Sequence, residues 1–119
     1  MIGQDIEAEN EQLTFGSGYD HNFALDRTCD GLERVATVCC GDTGIQMDVI
    51  TDCVGMQLYT ANFIEGQVGK GGVVYPKRGA MCLETQFFPN SINEAGFAAP
   101  ITDAGEVYTS ETIYKFSIA

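Results

Sequence analysis

The stretch Glu33-Arg34-Val35-Ala36-Thr37-Val38-Cys39-Cys40-Gly41-Asp42-Thr43-Gly44-Ile45-Gln46-Met47-Asp48-Val49-Ile50-Thr51 decides the fold of this chain. Two strand-like runs, Glu33 to Cys40 and Ile45 to Thr51, flank Gly41-Asp42-Thr43-Gly44, which carries the turn residues of a hairpin. Toward the N-terminus, Tyr19 to Leu25 alternates, with Tyr19, His21, Phe23 and Leu25 on one face and Asp20, Asn22 and Ala24 on the other. Toward the C-terminus, Met56 to Asn62 is a further strand. Gly69 to Gly72 marks a loop, followed by a short Val73-Val74-Tyr75 run that Pro76 ends. Residues 81–88 form another strand, and 89–105 is irregular. Val107 to Ile118 closes the chain with Tyr114, Phe116 and Ile118 on one face. No segment carries a convincing helical stripe. The pattern predicts an all-β fold of antiparallel strands, in a sandwich or a larger folded sheet. Residues 1–119 read as a single segment, with 1–18 a loop or extended lead-in and 19–119 the β-sheet region. Exposed sheet edges would need covering by another part of a larger protein or by a second copy.

The bulk properties exclude several functions. A chain of 119 residues that is 45% apolar is neither disordered nor a membrane protein, and no run is long enough to span a bilayer. The net charge of −11, from 17 acidic and 6 basic residues, repels nucleic acid and anionic lipid, so neither is expected as a partner. It is compatible with a neutral ligand. The start, Met1-Ile2-Gly3-Gln4-Asp5-Ile6-Glu7, lacks the basic and apolar regions of a signal peptide, which favours the cytoplasm. Cys29, Cys39, Cys40, Cys53 and Cys82 are odd in number and lack metal-finger spacing. They read as reduced core residues. With one histidine and no ligand cluster, a metal site is not expected.

Three polar spots sit inside strand patterns: Asp20 with Asn22, Gln57 between Met56 and Leu58, and Glu84 with Gln86 two residues on. Carboxylates and amides together supply the acceptors and donors that a neutral polyol needs. Tyr59, Phe87 and Phe88 add apolar surface for sugar C–H faces. Glu84 lies in the apolar run Met81-Cys82-Leu83-Glu84-Thr85-Gln86-Phe87-Phe88-Pro89. Partial burial there would raise its pKa toward the range useful to a general base. The alternative is a glutamate at the sheet edge, reaching water or pairing with Lys77 or Arg78. Asn22 and Gln86 equally suit backbone satisfaction at strand ends. His21, on the face of Tyr19 and Phe23, reads as a hydrogen-bonded core or interlayer histidine rather than a catalytic one.

Several motifs resemble the aldose 1-epimerase (galactose mutarotase) family. They are Gly18-Tyr19-Asp20-His21-Asn22-Phe23, Gln57-Leu58-Tyr59-Thr60-Ala61-Asn62-Phe63, Lys70-Gly71-Gly72 through Tyr75, Cys82-Leu83-Glu84-Thr85-Gln86 with Phe88-Pro89, and Tyr114-Lys115-Phe116. Any one is weak; five in order are specific. The resemblance implies the C-terminal part of an antiparallel β-supersandwich. It implies interconversion of the α and β anomers of a free aldohexose such as galactose or glucose, with no cofactor. By the same resemblance Glu84 is the general base, and Asp20 and Gln57 contact sugar hydroxyls. The family's acid histidine, a second sugar-binding histidine and an arginine lie upstream of these motifs and have no counterpart here. His21 matches the histidine next to the binding aspartate. Val54 and Ala61 stand where the family often has proline and glycine.

The resemblance therefore implies a C-terminal fragment or truncated epimerase that self-associates or pairs with a missing N-terminal segment. A competing reading is a non-catalytic carbohydrate- or protein-binding module on the same scaffold, since fold and function separate. A mutarotase for sugar phosphates would need a basic phosphate site, and Lys70, Lys77 and Arg78 are too few and scattered.

Overall fold

Residues Glu33–Cys39 (β2) and Ile45–Thr51 (β3) form the expected hairpin in the computed structural model, which describes residues 1–118. The pairing is antiparallel, with Cys39 opposite Gln46 and Glu33 opposite Thr51. The turn closes through Cys40 N–H to Ile45 O and Gly44 N–H to Cys40 O, both at 2.9 Å, with Gly44 in the left-handed region at φ 69°. A bulge between Arg34 and Ala36 inserts Val35 as an extra residue. Beyond it, the Glu33 carboxylate accepts the Thr28 N–H at 2.9 Å and the Thr28 hydroxyl at 2.8 Å, tying the preceding loop to the strand.

The remaining strands are Asp20–Ala24 (β1), Gly55–Tyr59 (β4), Cys82–Gln86 (β5) and Thr112–Ile118 (β6). They complete two three-stranded sheets, ordered β1-β4-β5 and β2-β3-β6, as an all-β fold requires. The chain divides into two units: Met1–Phe23 with Gln57–Glu84, and Ala24–Met56 with the chain from Thr85 on.

In the second unit β3 is central, so its side chains are the most covered; Val49 and Thr51 have no exposed surface. Asp48 is buried and satisfied by the Thr37 hydroxyl at 2.6 Å, with Arg34 3.9 Å away. Polar side chains fasten the start of β6. The Thr51 hydroxyl lies 3.0 Å from that of Thr112, which is 2.6 Å from that of Thr85. Asp52 accepts the Glu111 N–H at 3.1 Å and the Ser110 hydroxyl at 3.0 Å. Arg27 spreads its guanidinium over the carbonyls of Thr51 at 2.7 Å, Cys53 and Cys29 at 2.9 Å, and Gly31. A guanidinium has five donors in a fixed plane and can hold four carbonyls at once, whereas a lysine has only three donors.

In the first unit the residues before β1 are not extended. Ile2–Gln4 form a 3-10 turn and Glu11–Gly16 a short helix (α1), begun by the Asn10 side chain accepting the Gln12 N–H at 2.9 Å. Six residues are too few to show an apolar stripe in sequence. The run Val73–Tyr75 makes only a single bridge, Val68 to Val74. Glycines 69, 71 and 72 turn the chain too tightly for a ladder, and a side chain at Gly69 would overlap the Tyr75 ring. β6 likewise begins at Thr112 rather than Val107, where the Asp52 clamp first fixes the chain.

Tyr19, the residue before β1, is held by the end of β4. Tyr19 N–H donates to the Thr60 hydroxyl at 3.1 Å, and Thr60 N–H returns to Tyr19 O at 3.0 Å. The Asn62 amide donates to Gly16 O at 2.8 Å and Tyr19 O at 2.9 Å, and its oxygen takes the Thr60 hydroxyl at 2.8 Å. Gly18, at φ 139°, lets Asn62 approach: a Cβ there would overlap the Asn62 amide. Ala61 between the clamping residues is buried at φ 51°, in the left-handed region that glycine adopts most easily.

Apolar burial is thin. Ile6, Val49, Met56, Ala61 and Leu83 are covered, whereas Phe116 is 65% and Ile118 77% exposed. The cysteines are free thiols but not core residues. Cys29, Cys39, Cys40 and Cys82 are exposed and Cys53 is intermediate. Cys82 alternates with the buried Leu83, and Cys40 opens the hairpin turn, so neither faces inward.

Asn62→Ala should destabilise the chain by about 1–3 kcal/mol in urea denaturation, because it strands carbonyls and the Thr60 hydroxyl. Gly18→Ala should also destabilise it, and the double variant should cost less than the sum because Asn62→Ala removes the overlap. For Asp52, burial pushes the carboxyl up, but the Glu111 N–H, the Ser110 hydroxyl and the nearby Arg27 charge hold it below the ordinary aspartate value. Its contribution is full above the unfolded pKa of about 3.9 and is lost as pH falls through the lower folded value. The stability gap between wild type and Asp52→Asn should therefore be wide at pH 7 and shrink on acidification below about pH 4.

Candidate functional site

β4 lies between β1 and β5, so the polar residues singled out on three strands fall on one sheet. Asp20 opens β1, Gln57 is the middle residue of β4 and Glu84 the middle residue of β5. The structure joins the first two: the Gln57 amide donates to Asp20 Oδ1 at 2.7 Å. That contact is set by the clamp on Tyr19, which fixes the start of β1 against the end of β4. A carboxylate steadied by an amide keeps acceptor capacity for hydroxyl groups.

Glu84 corrects the sequence reading. It is exposed, not partly buried, because period-2 alternation gives the covered side of β5 to Leu83. Nor does Arg78 serve Glu84: its guanidinium pairs with Glu7 and donates to Ser17 O at 3.3 Å.

His21 is hydrogen-bonded as expected, but it is intermediate in exposure rather than a core residue. Its ring meets Tyr19 edge-on at 5.9 Å, and its Nδ1 accepts the Asp20 N–H at 2.9 Å. Neutral imidazole is the form that can accept there. Asn22 is intermediate in exposure and lines a cavity of about 470 Å³ with Tyr19, His21 and Leu13. The Tyr59 hydroxyl accepts the Phe63 N–H at 3.3 Å. In the second unit Gln86 and Phe87 line a separate small cavity, Phe87 lies against Tyr108, and Phe88 meets Phe97 edge-on.

Sequence reading missed the part played by Thr60 and Asn62. A pair of short polar side chains two apart at the end of a strand, following a Gly-Tyr entry to an earlier strand, is the signal that could have found them. Among the described residues, no group of three His, Cys, Asp or Glu side chains is placed to hold a metal ion. No described helix is long and apolar enough to cross a membrane.

Comparison with known proteins bears on this sheet. The sequence pattern of the family described as Aldose 1-epimerase matches residues 2–115. Galactose mutarotase of Mus musculus is 41% identical over 103 residues, covering 86% of this chain and 30% of that protein. Galactose mutarotase of Homo sapiens is 39% identical over 104 residues, covering 87% and 30%. Aldose 1-epimerase of Escherichia coli strain K12 is 32% identical over 118 residues, covering 98% and 34%. The chain spans about a third of the length of these relatives. A match over nearly every residue, through both sheets and all three candidate site strands, means that the chain belongs to the aldose 1-epimerase family.

Proposed function

We propose that the chain carries the base and part of the sugar-binding surface of a mutarotase acting on a free aldohexose such as galactose or glucose. The observation that supports this best is the 2.7 Å contact between Gln57 and Asp20 on neighbouring strands, the strand of Gln57 being also the neighbour of the strand of Glu84. In this reading Asp20 and Gln57 bind sugar hydroxyls. Glu84 takes the proton of the anomeric hydroxyl while an acid protonates the ring oxygen. The bond between C1 and the ring oxygen breaks to give the open aldehyde; rotation about C1–C2 and the reverse proton transfers close the other anomer. His21 is the chain's one histidine, and its Nδ1 is engaged with the Asp20 N–H. By the family resemblance His21 matches the histidine beside the binding aspartate and not the acid, so in this reading the acid histidine is supplied from outside these residues. Five free thiols support a reducing, cytoplasmic setting.

A second reading, a non-catalytic carbohydrate- or protein-binding module, is favoured by the exposure of Glu84. NMR exchange between α- and β-galactose separates the two. Without its acid partner the chain should lose about a hundred- to ten-thousandfold of the rate that acid and base together give. Residual exchange above buffer should vanish in Glu84→Gln. An unchanged rate in that variant would remove Glu84 from the chemistry. Galactose binding by a folded chain with no exchange at all would favour the module.

The open apolar side chains of β6, Tyr114, Phe116 and Ile118, support self-association of the chain. Light scattering should show a mass above one chain that falls in Phe116→Lys; a clean monomer at all concentrations would count against it.

A further inference from the structure

The second unit holds a cavity of about 160 Å³ whose lining is of one sign. Asp30 and Asp52 supply carboxylates, Phe87 and Tyr108 supply rings, and no basic side chain lines it. Its volume is several times the roughly 30 Å³ share of one water. Asp52 is already anchored by the Glu111 N–H and the Ser110 hydroxyl, which fix the carboxylate in place and favour its ionised form. The nearby cation, Arg27, has its guanidinium committed to backbone carbonyls, including Thr51 and Cys53. Asp30 is exposed on the opening loop. Phe87 and Tyr108 meet at 5.9 Å with their planes 42° apart, making a two-walled aromatic corner.

Aromatic faces attract cations through their quadrupole, and a neighbouring carboxylate adds a direct Coulombic attraction. A net charge of −11 further concentrates cations around the chain. Anions are disfavoured for the same reasons. A bare metal ion would demand a ligand group that the described residues do not offer. A methylated ammonium combines positive charge with a weakly hydrated apolar surface, which suits rings and carboxylates together. We infer that the corner formed by Asp30, Asp52, Phe87 and Tyr108 binds a methylated or quaternary ammonium head group.

Choline is the probe, titrated into the 119-residue chain and followed by NMR, with 3,3-dimethylbutan-1-ol as its neutral isostere and galactose as a neutral polyol. Choline should shift Phe87 and Tyr108 ring resonances saturably, and raising the salt concentration should weaken the binding. The isostere should bind at least about tenfold more weakly, since it lacks the charge. Tyr108→Ala and Asp30→Asn, both at exposed positions, should each weaken choline by about five- to thirtyfold. Equal binding of choline and its isostere, or displacement of choline by galactose, would overturn the assignment. So would a folded wild-type chain that shows no saturable shift up to tens of millimolar, about the weakest affinity that such a contact would give.

Discussion

The Asn62 side chain holds the carbonyls of Gly16 and Tyr19 together, and the arrangement of the first unit follows from it. A strand that pairs on an open sheet needs its entry point fixed, and few apolar contacts are available to do this. Asn62 and Thr60 do it with backbone-directed hydrogen bonds, and Gly18 supplies the space. The same solution recurs in the second unit, where Thr51, Asp52 and Arg27 tie loops and the start of β6 to the central strand. Such bonds are directional and short-ranged, so they specify register more sharply than apolar contact does. They add less free energy than a filled core.

The candidate site depends on this fixing. Asp20 follows directly after Tyr19, and Gln57 lies three residues before Thr60. Securing Tyr19 against Thr60 brings the two polar side chains within bonding distance. The aspartate thus gains a neutral donor, which leaves it further acceptor capacity for hydroxyls. Arg78 is held in another pairing, by Glu7.

Much of the fold was legible in the sequence, for identifiable reasons. The hairpin of β2 and β3 was found nearly residue for residue because its alternation and its Gly-Asp-Thr-Gly turn are local signals. The family was legible in the order of its motifs, and the match across residues 2–115 agrees. Burial was not legible where it depends on what lies opposite a strand. Alternation gave Glu84 the face opposite Leu83, but only coordinates show which face is covered. The cysteines misled in the same way, since an apolar neighbourhood in sequence became an exposed turn at Cys40 and an open strand face at Cys82. The short helix Glu11–Gly16 escaped because its one clear marker is the capping Asn10. Residues 107–111 read as strand from composition, yet a ladder forms only from the clamp at Glu111 onward.

The bulge at Val35 acts as a parity switch. Side chains on a strand alternate, so one added residue exchanges the faces of everything before it. Here that places Glu33 where it can hold Thr28 and, through it, the loop that carries Arg27. Loss of a single residue at this point would do more than shorten β2. It would turn the Glu33 carboxylate to the other side of the sheet and release the loop. Among homologous chains, a length change at the bulge should therefore be accompanied by a different anchor for that loop, whereas one in the hairpin turn need not be.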